Sequence, residues 1–109
     1  MKNIRRRMSD EEVSEFAEAL QVSCEAVIAN GGTIGAVSDF RATCCPLGAL
    51  TGSVFPWRIE FVERATGIRY ALLWSFVRAF EGDDRAEGDD ERLYDLGKQF
   101  ERQYRGAES

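Results

Sequence analysis

The stretch Ser9-Asp10-Glu11-Glu12-Val13-Ser14-Glu15-Phe16-Ala17-Glu18-Ala19-Leu20, running on to Asn30-Gly31-Gly32, decides the fold class. Ser9 followed three residues later by Glu12 is a capping box, in which each side chain takes up a backbone N–H that the first helical turn leaves without a partner. Met8 and Val13 stand where a hydrophobic staple packs across that start. Val13, Phe16, Ala17, Leu20, Cys24, Val27 and Ile28 then recur at helical spacing, with Glu11, Glu15, Glu18 and Glu25 turned outward. Asn30-Gly31-Gly32 stops the helix, because glycine takes the left-handed conformation that ends one. Cys24 falls on the apolar stripe and reads as a core thiol.

Working outward, residues 1–8 form a basic tail. Lys2, Arg5, Arg6 and Arg7 give it a charge of +4, and a solvated, frayed terminus is expected there, leaving 9–109 as a single helical domain. Downstream, Gly31, Gly32 and Gly35 loosen a connection through residue 45 that holds one embedded turn. Pro46 opens a short helix, since its missing N–H costs nothing at a first helical position. Leu47, Ala49 and Leu50 carry it to Gly52. Pro56 repeats the device, with Trp57, Phe61, Val62 and Ala65 as a stripe ending at Gly67.

The segment Ile68–Glu81 is expected to be the central helix. Ile68, Leu72, Leu73, Trp74, Phe76, Val77 and Phe80 cover most of its circumference, and Ser75 and Arg78 form the polar strip. Gly82 ends it. The last helix starts at Asp89 or Asp90, carries Leu93, Leu96, Gly97, Phe100 and Tyr104 on its face, and places Arg102 and Arg105 near its C-terminal end. The expectation is an all-α fold, a compact bundle of three main helices plus two short ones.

Composition narrows the function. The 109 residues suit one domain, and 44% of them are hydrophobic, enough for a core. No run approaches the ~20 apolar residues of a membrane span. Acidic Ser9–Glu12 follows the basic start where a signal peptide needs an apolar core, so neither membrane insertion nor secretion is expected. Three cysteines, two of them adjacent, make a poor disulfide framework and suit a reducing, cytoplasmic setting. The net charge of −5 disfavours general nucleic-acid binding, which needs a cationic face.

No histidine is present, so neither Ser-His-Asp nor Cys-His nucleophilic chemistry can be built. Adjacent Cys44-Cys45 lacks the spacing of a zinc knuckle. Residues 81–95 carry a net charge of −6 and superficially suggest a calcium loop. Starting that loop at Asp83 puts Gly88 correctly sixth, but Arg85 third and Tyr94 twelfth, where ligands are required. Those acids read instead as loop and N-cap residues. Gly31-Gly32-Thr33-Ile34-Gly35 lacks the Lys-Ser/Thr ending of a phosphate loop. No catalytic residue, metal ligand or cofactor is therefore expected.

The segment Asp39–Leu50 is the candidate site. A helix starting at Pro46 would point the N–H groups of Leu47 and Gly48 at an anion, with Arg41 supplying charge and Cys44 or Cys45 a thiol of lowered pKa. The competing reading is a tight corner of small buried residues. Arg78 is the second candidate. It interrupts an apolar helix and must reach solvent, pair with an acid, or receive a ligand or partner, pairing being favoured because unpaired buried charge is costly. All but two of the fourteen basic residues are arginine, which suits bidentate recognition of carboxylate or phosphate.

Three stretches, Cys44-Cys45-Pro46-Leu47-Gly48-Ala49-Leu50, Ser75-Phe76-Val77-Arg78-Ala79-Phe80-Glu81-Gly82 and Leu93-Tyr94-Asp95-Leu96-Gly97-Lys98-Gln99-Phe100, in that order resemble a group of short bacterial and phage proteins with no established activity. The resemblance covers the second half of the chain and implies a compact helical protein of bacterial or phage origin.

The sequence therefore points to a non-enzymatic binding protein, of the kind of a phage inhibitor or accessory factor, that occupies a protein partner or sequesters a small anionic, nucleotide-like ligand. The alternative is a homo-oligomeric interaction module without ligand, and a third reading is a small thiol redox protein using Cys44 or Cys45. The apolar circumference of Ile68–Glu81 implies a homodimer or larger assembly.

Overall fold

A computed structural model of the chain describes residues 4–36, 45–52 and 59–105. The fold is all-α. Helix α1 spans Asp10–Ala29, α2 Pro46–Thr51, α3 Ile59–Thr66, α4 Trp74–Glu81 and α5 Glu91–Phe100. A 3-10 turn over Tyr70–Leu73 leads into α4, and a π-helical turn over Glu101–Arg105 extends α5.

Helix α1 begins as its sequence dictates. Ser9 Oγ accepts the Glu12 N–H at 3.1 Å, and Glu12 Oε1 accepts the Ser9 N–H at 2.8 Å, closing the capping box. Phe16, Leu20 and Cys24 are its buried stripe. Ile28, expected on that stripe, is 45% exposed, whereas Val27 beside it packs against the core.

The core is centred on Phe76 of α4. Its ring meets Phe16 of α1 and Phe100 of α5 edge-on, with centroids 5.7 and 5.6 Å apart, and stacks on Phe80 at 6.3 Å. Leu47 of α2, Val62 of α3, Leu73 and Leu93 close the cluster. Burying each such side chain stabilises the fold by roughly 1.5–3 kcal/mol.

α4 and α5 pack most closely at Gly97. A β-carbon there would lie 2.5 Å from the Phe76 carbonyl oxygen and 2.7 Å from Ala79 Cβ, so only glycine lets the two backbones approach this far. Gly82, left-handed at φ 99°, ends α4. Arg105 then reaches back from the chain's far end and donates to the Phe80 carbonyl at 2.7 Å, capping the same helix from outside.

Two sequence expectations fail here. Residues 4–8 are not a frayed tail. Ile4 is 7% exposed, its N–H donates to the Gly67 carbonyl at 2.6 Å, and its own carbonyl accepts from Arg69 at 2.8 Å. Arg92 of α5 ties the same segment down, donating to the Met8 carbonyl and to Asp10, both at 2.7 Å, and to Asp90 at 2.8 Å. The apolar Ile4 and Met8 override the surrounding basic residues, which remain at the surface. The second failure concerns the central helix. It is not one α-helix from Ile68, and its polar strip is not Ser75 with Arg78: Ser75 is buried and Trp74 is 52% exposed.

Candidate functional site

Of the residues singled out in the sequence, Arg41 and Cys44 lie outside the described residues. Cys45 is the N-cap of α2, and its sulfur accepts the Gly48 N–H at 3.3 Å. One of the two donors expected to meet an anion is thus taken up by the helix's own cap. Pro46, Leu47 and Gly48 are buried, so this helix start faces protein. Cys45, Pro46 and Leu47 lie along Val77, Phe80 and Glu81 of α4.

Arg78 is held by the loop after its own helix. Its Nη1 donates to both carboxylate oxygens of Asp89, at 3.0 and 2.8 Å, and Nη2 donates to the Asp84 carbonyl at 2.8 Å. Asp89 also accepts from Ser75 Oγ at 3.1 Å and from the Ala86 N–H at 2.7 Å. These bonds, the Ala86 N–H foremost, hold the Asp89 carboxyl below the usual range. Arg78 therefore closes the α4–α5 loop and does not line the corner at Pro46. Of the acids that superficially suggest a calcium loop, Asp89 serves this closure, Asp90 caps α5 by accepting the Arg92 N–H at 3.1 Å, and Glu91 and Asp95 accept from Arg85. Among the described residues no group of three His, Cys, Asp or Glu could hold a metal ion.

A partly enclosed cleft lies elsewhere among the described residues, smaller than the open groove of about 480 Å³ beside Val22, Val27 and Ala49. It measures about 200 Å³ and is floored by Ile4, Phe16, Leu50 and Ile68, with Ala19, Ala65 and Thr66 on its walls. Glu12 and Glu15 stand on its rim. The capping box sets the phase of α1, and from Glu12 onward Glu15, Phe16 and Ala19 follow at intervals that share one helix face. The buried N-terminal segment supplies Ile4, and the turn after α3 supplies Thr66 and Ile68. Thr66 Oγ1 donates to the Val62 carbonyl at 2.8 Å and accepts the Ile68 N–H at 3.0 Å, so this wall is fixed by local bonds.

Glu12 is strongly perturbed. The Arg6 fork, at 3.0 and 3.3 Å, and then the Ser9 N–H pull its carboxyl down to about 2. The cleft thus joins an apolar floor to a rim carrying the Glu15 carboxylate beside the Arg6–Glu12 ion pair, and the exposed Glu11 and Glu18 add negative charge along α1. Such a site suits an apolar group that arrives beside a positive charge. Sequence reasoning misses it because the basic composition of residues 1–8 makes Ile4 look like part of a loose tail. The spacing of Glu12, Glu15, Phe16 and Ala19 was the available signal.

Compared with family models, with curated proteins and with solved structures, the chain matches none. The functional reading rests on its own geometry.

Proposed function

We propose that the protein is a non-enzymatic binding protein that occupies a protein partner, taking one apolar side chain of that partner into the cleft beside Phe16 while a partner lysine or arginine lies against Glu15. The observation that supports this is the pairing of an apolar floor with an acidic rim. Clefts of this composition use the apolar surface for affinity and the few polar groups for orientation. Of the two kinds of partner expected from the sequence, a basic protein segment fits this rim better than a small anion, because an anion would meet the Glu15 carboxylate while Arg6 is already taken up by Glu12. The role is that of an inhibitor or accessory factor of phage type, covering a partner's surface without turning anything over. Cys24 and Cys45, present as thiols, suit work in the cytoplasm.

The test fills the cleft. A photo-crosslinking residue at position 19, in cells that make the protein, identifies the partner, and the purified pair is then titrated. Ala19→Trp and Glu15→Lys are each expected to weaken binding by about tenfold or more, equivalent to about 1.4 kcal/mol. Neither should change the melting temperature appreciably, since both positions are exposed. A partner that binds Ala19→Trp as tightly as the wild type removes the cleft from the account. If no partner crosslinks, the homo-oligomeric module becomes the better reading.

A further inference from the structure

The open groove of about 480 Å³ takes its walls from Val22, Ala26 and Val27 of α1 and from Ala49 of α2. Val22, 64% exposed, is the most exposed large apolar side chain among the described residues. Two polar side chains of the wall are turned onto the helix's own carbonyls. Ser23 Oγ donates to Ala19 and Asn30 Nδ2 donates to Ala26, both at 2.9 Å, which leaves the lining chiefly apolar. Gly32 closes the groove's end: a β-carbon there would lie 2.7 Å from Val27 Cγ1, so glycine lets the chain fold back this closely. The same flank of α1 also walls the cleft. Glu15, Ala19, Val22, Ala26 and Ala29, all exposed, recur at intervals of four, three, four and three, the spacing at which one helix receives another. Helix α2 stands beside this row, with Leu50 at the cleft and Ala49 at the groove.

Charge decides what fits the row. α1 carries Asp10, Glu11, Glu12, Glu15, Glu18 and Glu25, and neither lysine nor arginine. Arg92 engages Asp10, Arg6 engages Glu12, and Glu25 also meets Tyr104. Glu11, Glu18 and Glu25 follow one another at seven-residue intervals along the outward edge, the positions that pair by charge with a neighbouring helix. A second copy laid antiparallel would set these carboxylates against each other. A parallel copy would set them against Phe16, Ser23 and Asn30, which carry no charge. We propose that the row receives a basic amphipathic helix of the binding partner, with large apolar side chains in the cleft and groove and lysines or arginines over Glu11 and Glu18. This rests on the binding reading above and names the partner's form. Ala19 in the cleft and Ala26 in the groove lie about 10.5 Å apart along α1, a separation that residues seven apart on the partner helix match.

The probe is a synthetic three-heptad peptide with leucine at the seam positions and lysine beside them, titrated calorimetrically against the full chain. It is expected to bind saturably, at least tenfold tighter than a peptide with glutamate in place of lysine and than a scrambled peptide of the same composition. Ala26→Trp, which fills the groove, should weaken it by about tenfold or more with an unaltered circular dichroism spectrum. Glu18→Lys should weaken the lysine peptide and strengthen the glutamate one. No saturable binding, or a scrambled peptide that binds as tightly, overturns the proposal. Binding lost in Ala19→Trp but untouched by Ala26→Trp also overturns it and leaves the cleft reading standing, whereas binding indifferent to both variants removes the cleft as well. A Glu18→Lys variant without effect overturns the charge pairing. A wild type that sediments as a dimer and is split by Ala26→Trp puts a second copy on the row, and the basic helix is then wrong.

Discussion

Gly97 lies so close to Phe76 that a methyl group added to it would come within 2.5 Å of the Phe76 carbonyl oxygen. Two effects of Gly97→Ala oppose each other. Alanine is the better helix former by about 1 kcal/mol. The clash is with backbone and with Ala79, neither of which can swing aside, and overpacking of this kind costs about 1–3 kcal/mol. The clash should win, giving a net loss of stability seen as a lower urea midpoint. A stabilised Gly97→Ala would mean that α4 and α5 are further apart than described.

Ser75 joins the same two helices by polar bonds. Its hydroxyl donates to Asp89 and accepts the Asp90 N–H at 2.9 Å, tying α4 to the cap of α5. Ser75→Ala leaves the Asp90 N–H without this acceptor in a half-buried place. A cost of about 1–3 kcal/mol is expected, the usual range for an abandoned hydrogen-bond partner. Ser75→Ala with wild-type stability in chemical denaturation would show that the contact contributes nothing.

How far the sequence disclosed this arrangement varies by element. The start of α1, the proline start of α2, the glycine end of α4 and the aspartate cap of α5 were all legible, because each depends on local hydrogen bonding within a few residues. The facing of α4 was legible only in part. Phe76 and Phe80 are buried as read, but Ser75 is drawn inward by its bonds to Asp89 and the Asp90 N–H, loop partners that periodicity cannot disclose, and Trp74 is left outside. Ile4 was missed for a different reason: its burial depends on backbone bonds to Gly67 and Arg69, far away in the chain. The apolar surface of Ile68–Glu81 that implied an oligomer is mostly buried within the chain, on Leu73, Phe76 and Phe80, leaving Trp74 outside.

Acid should weaken the fold through its low-titrating carboxyls. Glu12 is drawn down to about 2 by Arg6 and Ser9, Asp89 lies below its usual range chiefly through the Ala86 N–H, and Asp90 does so through Arg92. Each binds its proton less readily when folded than when unfolded. Their stabilisation is therefore complete above the ordinary carboxyl pKa of about 4, and is lost as pH falls from there toward about 2. Glu12→Gln should lower stability at neutral pH and flatten the acid limb. An acid limb as steep in Glu12→Gln as in wild type would remove this carboxyl from the acid response.

The two described thiols should behave differently toward alkylation. Cys24 is fully buried against the core, and native protein should leave it unmodified until denaturant is added. Cys45 is half-buried and supplies the sulfur that caps α2. Cys45→Ser retains an acceptor at the cap and should be tolerated, whereas Cys45→Ala should cost about 0.5–2 kcal/mol, the range for losing an N-cap. Equal stability of the two variants would count against the sulfur's capping role. Rapid modification of native Cys24 would contradict the register of α1.

The N-terminal segment bears on how the chain comes to its native state. The α4–α5 hairpin is built from neighbours in sequence, but the Ile4 pairing to Gly67 and Arg69 closes a loop over more than half the chain. Closing a long loop is entropically costly and is rewarded only once both ends are in place. The hairpin can therefore form early, while the docking of Ile4 waits for α3 and the turn after it. In pulse-labelled hydrogen exchange, the Ile4 and Arg69 amides should gain protection after those of α5. During synthesis the Ile4 segment precedes its partners by some sixty residues, and it can settle only after Gly67 and Arg69 have followed.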